Sequence, residues 1–188
     1  MFDREKKIFL EQKPDKSRKN SIDAPIKELI DLINQKKNYY TTSSCSGRIM
    51  VLQKPDVGKK HEAEWLYVTH DRGVVQEVQT ALFDRKGDIW FKQEPLILHI
   101  CCRDIDSAQQ LVDIARLVGL KKSGVMNARK RILVEIVGPD LMETIIVKEG
   151  KLLFTVESFH VLIDEANKRM DKNEKKAHSF REEIQKIN

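Results

Sequence analysis

At 188 residues with a net charge of +5, the chain suits one domain with a real core and permits a polyanionic partner without demanding one. No stretch approaches the roughly eighteen uncharged apolar residues of a membrane helix, and Met1-Phe2-Asp3-Arg4 is not expected to open a signal peptide. Charged residues make up 34% of the chain against an average of about 25%, a Lys/Glu excess of the thermophile kind.

In chain order, Ile22, Ile26, Leu29, Ile30 and Ile33 recur at helical spacing, with Asp23 as the expected N-cap and Pro25 in the first turn. Residues 48–53 and 64–69 read as strands separated by a polar Lys/Gly loop. Val74, Val75, Val78, Ala81 and Leu82 mark a helix, followed by strands at 88–92 and 96–102. Ala108, Leu111, Val112, Ala115 and Val118 mark another helix, which Gly119 stops. Strands at 124–127, 131–137 and 142–147 surround the turn signal Gly138-Pro139. The segments 65–92 and 96–127 are both strand–helix–strand, a hint of internal duplication. The class is α+β, one domain over 1–188 with a mixed sheet.

The last helix carries the cleanest period. From Val156, apolar residues stand at 159, 163, 166, 170, 177, 180, 184 and 187, and only Asn173 interrupts the heptad rhythm. A helix over 156–187 would run for roughly 48 Å. Its distal half is therefore expected to pack on the N-terminal helix or on another copy of the chain, the route to a homo-oligomer.

Three cysteines, with Cys101 and Cys102 adjacent, form no C-x-x-C, and the five histidines share no ligand spacing. No metal site is expected, and a reduced, cytoplasmic protein is the simpler reading. The most distinctive stretch is Thr41-Thr42-Ser43-Ser44-Cys45-Ser46-Gly47-Arg48-Ile49. Small hydroxyl side chains beside a glycine leave backbone N–H groups open to a ligand. The Arg adds a planar fork for carboxylate or phosphate. The plainer alternative is a Ser/Gly turn between two strands.

This block resembles the central signature of the tRNA wybutosine-synthesising protein 3 family. Asp15-Lys16-Ser17-Arg18-Lys19 with Ser21-Ile22-Asp23 is similar to the family's opening motif. Trp65-Leu66-Tyr67-Val68-Thr69-His70 resembles the strand that ends in its histidine, and Glu94-Pro95-Leu96-Ile97-Leu98-His99 continues the pattern. Cys102-Arg103, Ala108-Gln109, Gly119 to Ser123-Gly124, and Gly150-Lys151 keep the family's spacing. The resemblance covers nearly the whole chain. It implies an S-adenosylmethionine-dependent methyltransferase acting on N4 of the tricyclic base, 7-aminocarboxypropyl-demethylwyosine, at position 37 beside the anticodon of phenylalanine tRNA. The competing reading is a non-catalytic tRNA-binding accessory protein of the same pathway.

For such chemistry the residues to place are His70, Ser44 and Arg48 at the reacting groups, and Ser46, Gly47, Cys45 and His99 against the cofactor. His70 could be the base or an orienting partner. His99, inside an apolar strand run, reads more simply as a satisfied core residue. Trp65, Tyr39, Tyr40 and Tyr67 are available to stack on an unpaired base. Arg18 and Lys19, with Lys121, Lys122, Arg129, Lys130 and Arg131 in a stretch holding no acidic residue, make the expected phosphate-contacting surface. The chain has only eight glycines and no G-x-G-x-x-G, so no motif locates the cofactor.

Overall fold

The computed structural model describes residues 1–11, 21–54, 63–83 and 87–187. The elements in order are α1 (Phe2–Glu11), a 3-10 turn (Ala24–Ile26), α2 (Lys27–Gln35), β1 (Tyr39–Cys45), β2 (Arg48–Lys54), β3 (Glu64–Thr69) and α3 (Val75–Leu82). There follow β4 (Asp88–Glu94), β5 (Ile97–Cys102), α4 (Ile105–Leu117), β6 (Gly124–Asn127), β7 (Ile132–Val137), β8 (Met142–Lys148), β9 (Lys151–Leu152) and α5 (Val156–Gln185). The chain divides into two compact units, one of Met1–Ser46, Leu96–Pro139 and Asn173–Asn188, the other of Gly47–Pro95 and Asp140–Lys172. Among the described residues no helix is long and apolar enough to cross a membrane.

The first unit holds a sheet of order β1-β5-β7-β6, the second a sheet of order β3-β2-β4-β8-β9. The α+β class holds, but the expected mixed sheet is two sheets, and every pairing in them is antiparallel. The reason lies in the two strand–helix–strand segments. β3 and β4 run parallel but are separated by β2, and β5 and β6 run parallel but are separated by β7. Each segment is thus a split β–α–β unit. The inserted strand precedes it in one case and follows it in the other.

In the first unit, one sheet face (Tyr39, Leu98, Ile100, Cys102, Val134, Ile136) meets Leu29, Ile30 and Ile33 of α2, Ala108, Leu111 and Ala115 of α4, and Ala177, Phe180 and Ile184 of α5. The distal half of α5 therefore packs on this chain's own core. The opposite face is covered at one end by α1, which the apolar pattern did not reveal. Phe2 and Phe9 each lie 5.3 Å from the Tyr40 ring, and Asp3 and Glu5 pair with Arg103 and Arg131. Asp104 caps α4 by accepting the Ser107 N–H at 2.7 Å, and Gly119, at φ +88°, ends that helix in the left-handed conformation glycine tolerates. In the second unit, Ile49, Val51, Ile89, Phe91 and Ile146 pack against Val75 and Val78 of α3 and Phe159, Ile163, Ala166 and Met170 of α5.

Two expectations about polar residues change. Asp23 makes no cap bond; its carboxylate instead accepts the Ser46 N–H and hydroxyl at 2.9 and 3.1 Å. Asn173, the apparent flaw in the heptad, is 3% exposed. Its Oδ1 accepts the Leu96 N–H at 2.7 Å and its Nδ2 donates to the Ser46 carbonyl at 2.5 Å. Six residues earlier, Asn167 grips both backbone groups of Gly73, accepting its N–H at 2.7 Å and donating to its carbonyl at 3.0 Å.

Asn173→Leu would complete the apolar stripe, yet it should destabilise the protein. It strands a buried carbonyl and a buried N–H, each worth about 1–3 kcal/mol, so urea unfolding should show a loss of about 2–4 kcal/mol. A more stable leucine variant would mean that the heptad, not the two backbone bonds, sets this position.

Candidate active site

The 41–49 block is not an open loop. Residues 39–45 are an edge strand of the first unit, and the hydroxyls of Thr41, Thr42 and Ser43 are engaged. Thr41 donates through its N–H and hydroxyl to Asn34 Oδ1 at 2.8 and 3.0 Å. A bulge falls between Thr41 and Ser43, where the ladder is interrupted, and there Thr42 donates to the His99 carbonyl at 3.2 Å. Ser43 stands opposite His99, with its Oγ 2.6 Å from Nδ1. Ser44 pairs with Leu98 and Cys45 with Ile97, both half-buried. Ser46, spending both donors on Asp23, secures the backbone rather than offering a hydroxyl.

Gly47 follows at φ +101°, a left-handed conformation that disfavours any side chain, and begins the second unit. Its carbonyl lies 2.9 Å from His70 Nδ1. A carbonyl only accepts, so the His70 proton sits on Nδ1 and the ring is fixed as that tautomer. Arg48 directs Nε and one terminal nitrogen at Glu94 Oε2, each at 2.8 Å. Its guanidinium carbon lies 4.8 Å from the Trp65 ring centroid, within cation–π range. The side chains of Arg48 and Glu94 are 28% and 34% exposed, so this stacked ion pair faces outward in part.

His99 is not a core histidine. Leu98 and Ile100 beside it are fully buried, and alternation turns the imidazole to the other sheet face. There Nε2 lies 3.3 Å from Glu135 Oε1. Glu135 and Ser43 were not singled out from the sequence. The available signal was a lone carboxylate in the apolar run Ile132-Leu133-Val134-Glu135-Ile136-Val137, the counterpart of the lone histidine in β5.

Of the candidate stacking rings, Tyr39 and Tyr40 are fully buried. Burial pushes the Tyr39 phenol up to about 12. Tyr67 is half-buried and donates to Glu77 at 3.1 Å. Trp65, at 36% exposure, is the ring in reach of a ligand. Lys121, Lys122, Arg129, Lys130 and Arg131 are all exposed, the first two before β6 and the others in the turn to β7. Arg131 is tied to Glu5 at 3.0 Å and lies over Phe9, which makes it an anchor for α1. Arg18 and Lys19 lie outside the described residues.

Burial also decides the thiols. Cys101 and Cys102 are 2% and 3% exposed; burial raises the Cys101 thiol and pushes Cys102 up to about 12, so both stay protonated and inert at neutral pH. Titration of the native protein with a disulfide reagent at pH 8 should count at most one thiol, Cys45, and three after denaturation. Rapid reaction of a second native thiol would contradict this packing.

The family model Methyltransferase TYW3 matches residues 4–186, and the chain belongs to that family. A tRNA wybutosine-synthesizing protein 3 homolog of Xenopus laevis is 35% identical over 90% of this chain and 69% of its own length. A Thermococcus sibiricus protein named tRNA(Phe) 7-((3-amino-3-carboxypropyl)-4-demethylwyosine(37)-N(4))-methyltransferase is 33% identical, covering 99% of this chain and 95% of its own. A solved structure from Pyrococcus horikoshii superposes with a TM-score of 0.90 at 31% identity, covering 97% of this chain and 95% of that one.

Proposed function

From membership of that family, we propose that the chain is a cytoplasmic S-adenosylmethionine-dependent methyltransferase of wyosine-derivative synthesis. Its substrate is N4 of 7-aminocarboxypropyl-demethylwyosine at position 37, beside the anticodon of phenylalanine tRNA. The observation that carries this reading is the archaeal relative aligned over 99% of the chain, whose name states that reaction. All 188 residues are treated as one functional domain, because neither compact unit is contiguous in sequence.

The residues present fit the methyl donor. Its amino-acid end is a zwitterion, and Arg48 with Glu94 presents a guanidinium beside a carboxylate. Arg48 spends two of its five donors on Glu94, and the rest suit a second carboxylate. Glu94 suits an ammonium. When bound, the donor supplies an electrophilic methyl group. Gly47 completes the proposed cofactor contacts in the second unit. His70, whose Nδ1 donates to the Gly47 carbonyl at 2.9 Å, is proposed to orient the target. Trp65 gives the flat base a ring to stack on.

Calorimetry should show saturable S-adenosylmethionine binding, weakened more than tenfold in Arg48→Ala and in Glu94→Gln with thermal stability little changed. Saturable tRNA binding with no cofactor binding would favour the accessory-protein reading instead.

The exposed lysines and arginine around β6 are proposed to hold tRNA phosphates. Replacing Lys121, Lys122, Arg129 and Lys130 by Gln should weaken tRNA binding and flatten its salt dependence, by a slope of about 0.9 for each phosphate no longer neutralised. An unchanged salt slope would place the phosphate-binding surface elsewhere.

A further inference from the structure

The chain has two tryptophans, and both stand on the same face of the second unit's sheet. Ile89 and Phe91 of β4 point into that unit's core, so alternation turns Trp90 to the opposite face. Leu52 of β2 is the register partner of Trp90 on one side and of Trp65 on the other. The two rings are thus two strand spacings apart, roughly 10 Å. Trp65 reaches this face through a bulge. Val51 pairs with Tyr67, which packs on the core, yet Leu52 pairs with Trp65. Strict alternation from Tyr67 would have sent Trp65 inward as well. Each ring lies under a cation of β2, with Arg48 4.8 Å from the Trp65 centroid and Lys54 Nζ 3.9 Å from the Trp90 centroid. Lys54 and Lys92 share one carboxylate oxygen, Glu143 Oε1, at 3.0 and 2.9 Å, so two ammoniums stand against one negative charge. The neighbouring carboxylates have cations of their own, Glu94 in Arg48 and Asp88 in Lys148. Trp65 is 36% and Val68 44% exposed, and the Lys54 side chain is 38% exposed.

We propose that this face binds unpaired RNA, with the nucleotide next to the target base stacked on Trp90 and its phosphate held by Lys54 and Lys92. This rests on the methyltransferase reading, which gives Trp65 to the target base, and extends it to the neighbouring nucleotide. Every residue named belongs to the second unit. A sheet face whose aromatic rings each take one base is a recurring way to hold a single strand. The Lys54 ammonium already covers the Trp90 ring, and magnitudes decide which occupant wins. An exposed cation–π contact is worth roughly two- to fivefold in an equilibrium constant, a base stack roughly five- to 150-fold. A base therefore displaces Lys54 from the ring and leaves it for the phosphate. Both ammoniums reach the same oxygen of Glu143, so they are close enough to grip one phosphate together. The adenosine of the methyl donor carries no phosphate, which favours a nucleotide of RNA on Trp90 over the donor's adenine. Stability alone gives no reason to turn a second tryptophan toward solvent by a bulge, when alternation would have buried it.

The test uses the full chain and an end-labelled anticodon stem-loop of phenylalanine tRNA. Both tryptophans lie on this face, so tryptophan fluorescence reports it alone, and the stem-loop should quench it on binding. Trp90→Leu should lose part of the quench and weaken binding by roughly tenfold, the size of one lost base stack. Trp90→Phe keeps an aromatic ring and should stay within about threefold of wild type. Lys54→Gln combined with Lys92→Gln should lower the salt slope by about 0.7 for a phosphate no longer held on a single strand. Wild-type affinity in Trp90→Leu, binding without a quench, or an unchanged salt slope in the double variant would each overturn the proposal. So would a quench by S-adenosylmethionine alone that Trp90→Leu abolishes, since the ring would then serve the donor's adenine. A wild-type chain that shows the stem-loop quench but transfers no methyl group to substrate tRNA would keep the RNA-binding face and overturn the methyltransferase reading beneath it.

Discussion

The amide of Asn173 is the constraint on which much of the first unit depends. That unit is assembled from three stretches of chain, and its internal ends are Ser46, Leu96, Pro139 and Asn173. Asn173 bonds two of the others, taking the Leu96 N–H and giving to the Ser46 carbonyl. These backbone groups lie where β1 has just ended and β5 is about to begin, so no ladder satisfies them. Buried, they would otherwise cost the full desolvation of each group. An amide offers a donor and an acceptor on separate atoms of one short stem, so it can reach both groups at once. Leucine at this position would pack as well as its neighbours Met170 and Ala177 and satisfy neither group.

From Ser46 the constraint runs outward. Its carbonyl is held by α5, while its N–H and hydroxyl are held by Asp23, just before the 3-10 turn that leads into α2. That fixes one end of β1. The other end is fixed by Tyr39, whose hydroxyl lies 3.0 Å from the Ser107 carbonyl and 2.9 Å from Gln110 Oε1. A strand rich in small hydroxyls has little packing energy of its own. It is instead held by its ladder to β5 and by side-chain bonds to α2 and the 23–26 segment. The Thr41–Ser43 bulge is tolerable for that reason. It places Ser43, rather than Thr42, opposite the His99 ring.

Where burial alone decides structure, the sequence is legible. The apolar spacing of α2, α3, α4 and α5 shows the helices, and the Val/Ile/Leu runs show most strands. The relatedness to a methyltransferase family was legible as well, because motifs keep their order along the chain. What escaped is what depends on partners far apart in sequence. α1 has no fully buried residue; it is held by Tyr40, Arg103 and Arg131, so its own periodicity says little. β1 reads as Tyr-Tyr-Thr-Thr-Ser-Ser-Cys, without the apolar alternation that signals a strand. The mixed sheet was expected because strand–helix–strand normally implies a parallel neighbour. An inserted antiparallel strand leaves no trace in the segment it splits. Asn173 and Asp23 were visible as residues but not as roles. A buried amide and a failed heptad look the same until the backbone it satisfies is known.

The two histidines show how a local partner divides the chemistry of one residue type. His70 gives its Nδ1–H to a backbone carbonyl. That bond orients the ring. His99 has a carboxylate at Nε2 and a hydroxyl at Nδ1. Each strand holds its side chain in a fixed register. Position in the sequence suggested a cleft for an imidazole at a strand end and a core for one within an apolar run. Alternation across β5 puts Leu98 and Ile100 into the core and leaves His99 facing the carboxylate of the next strand.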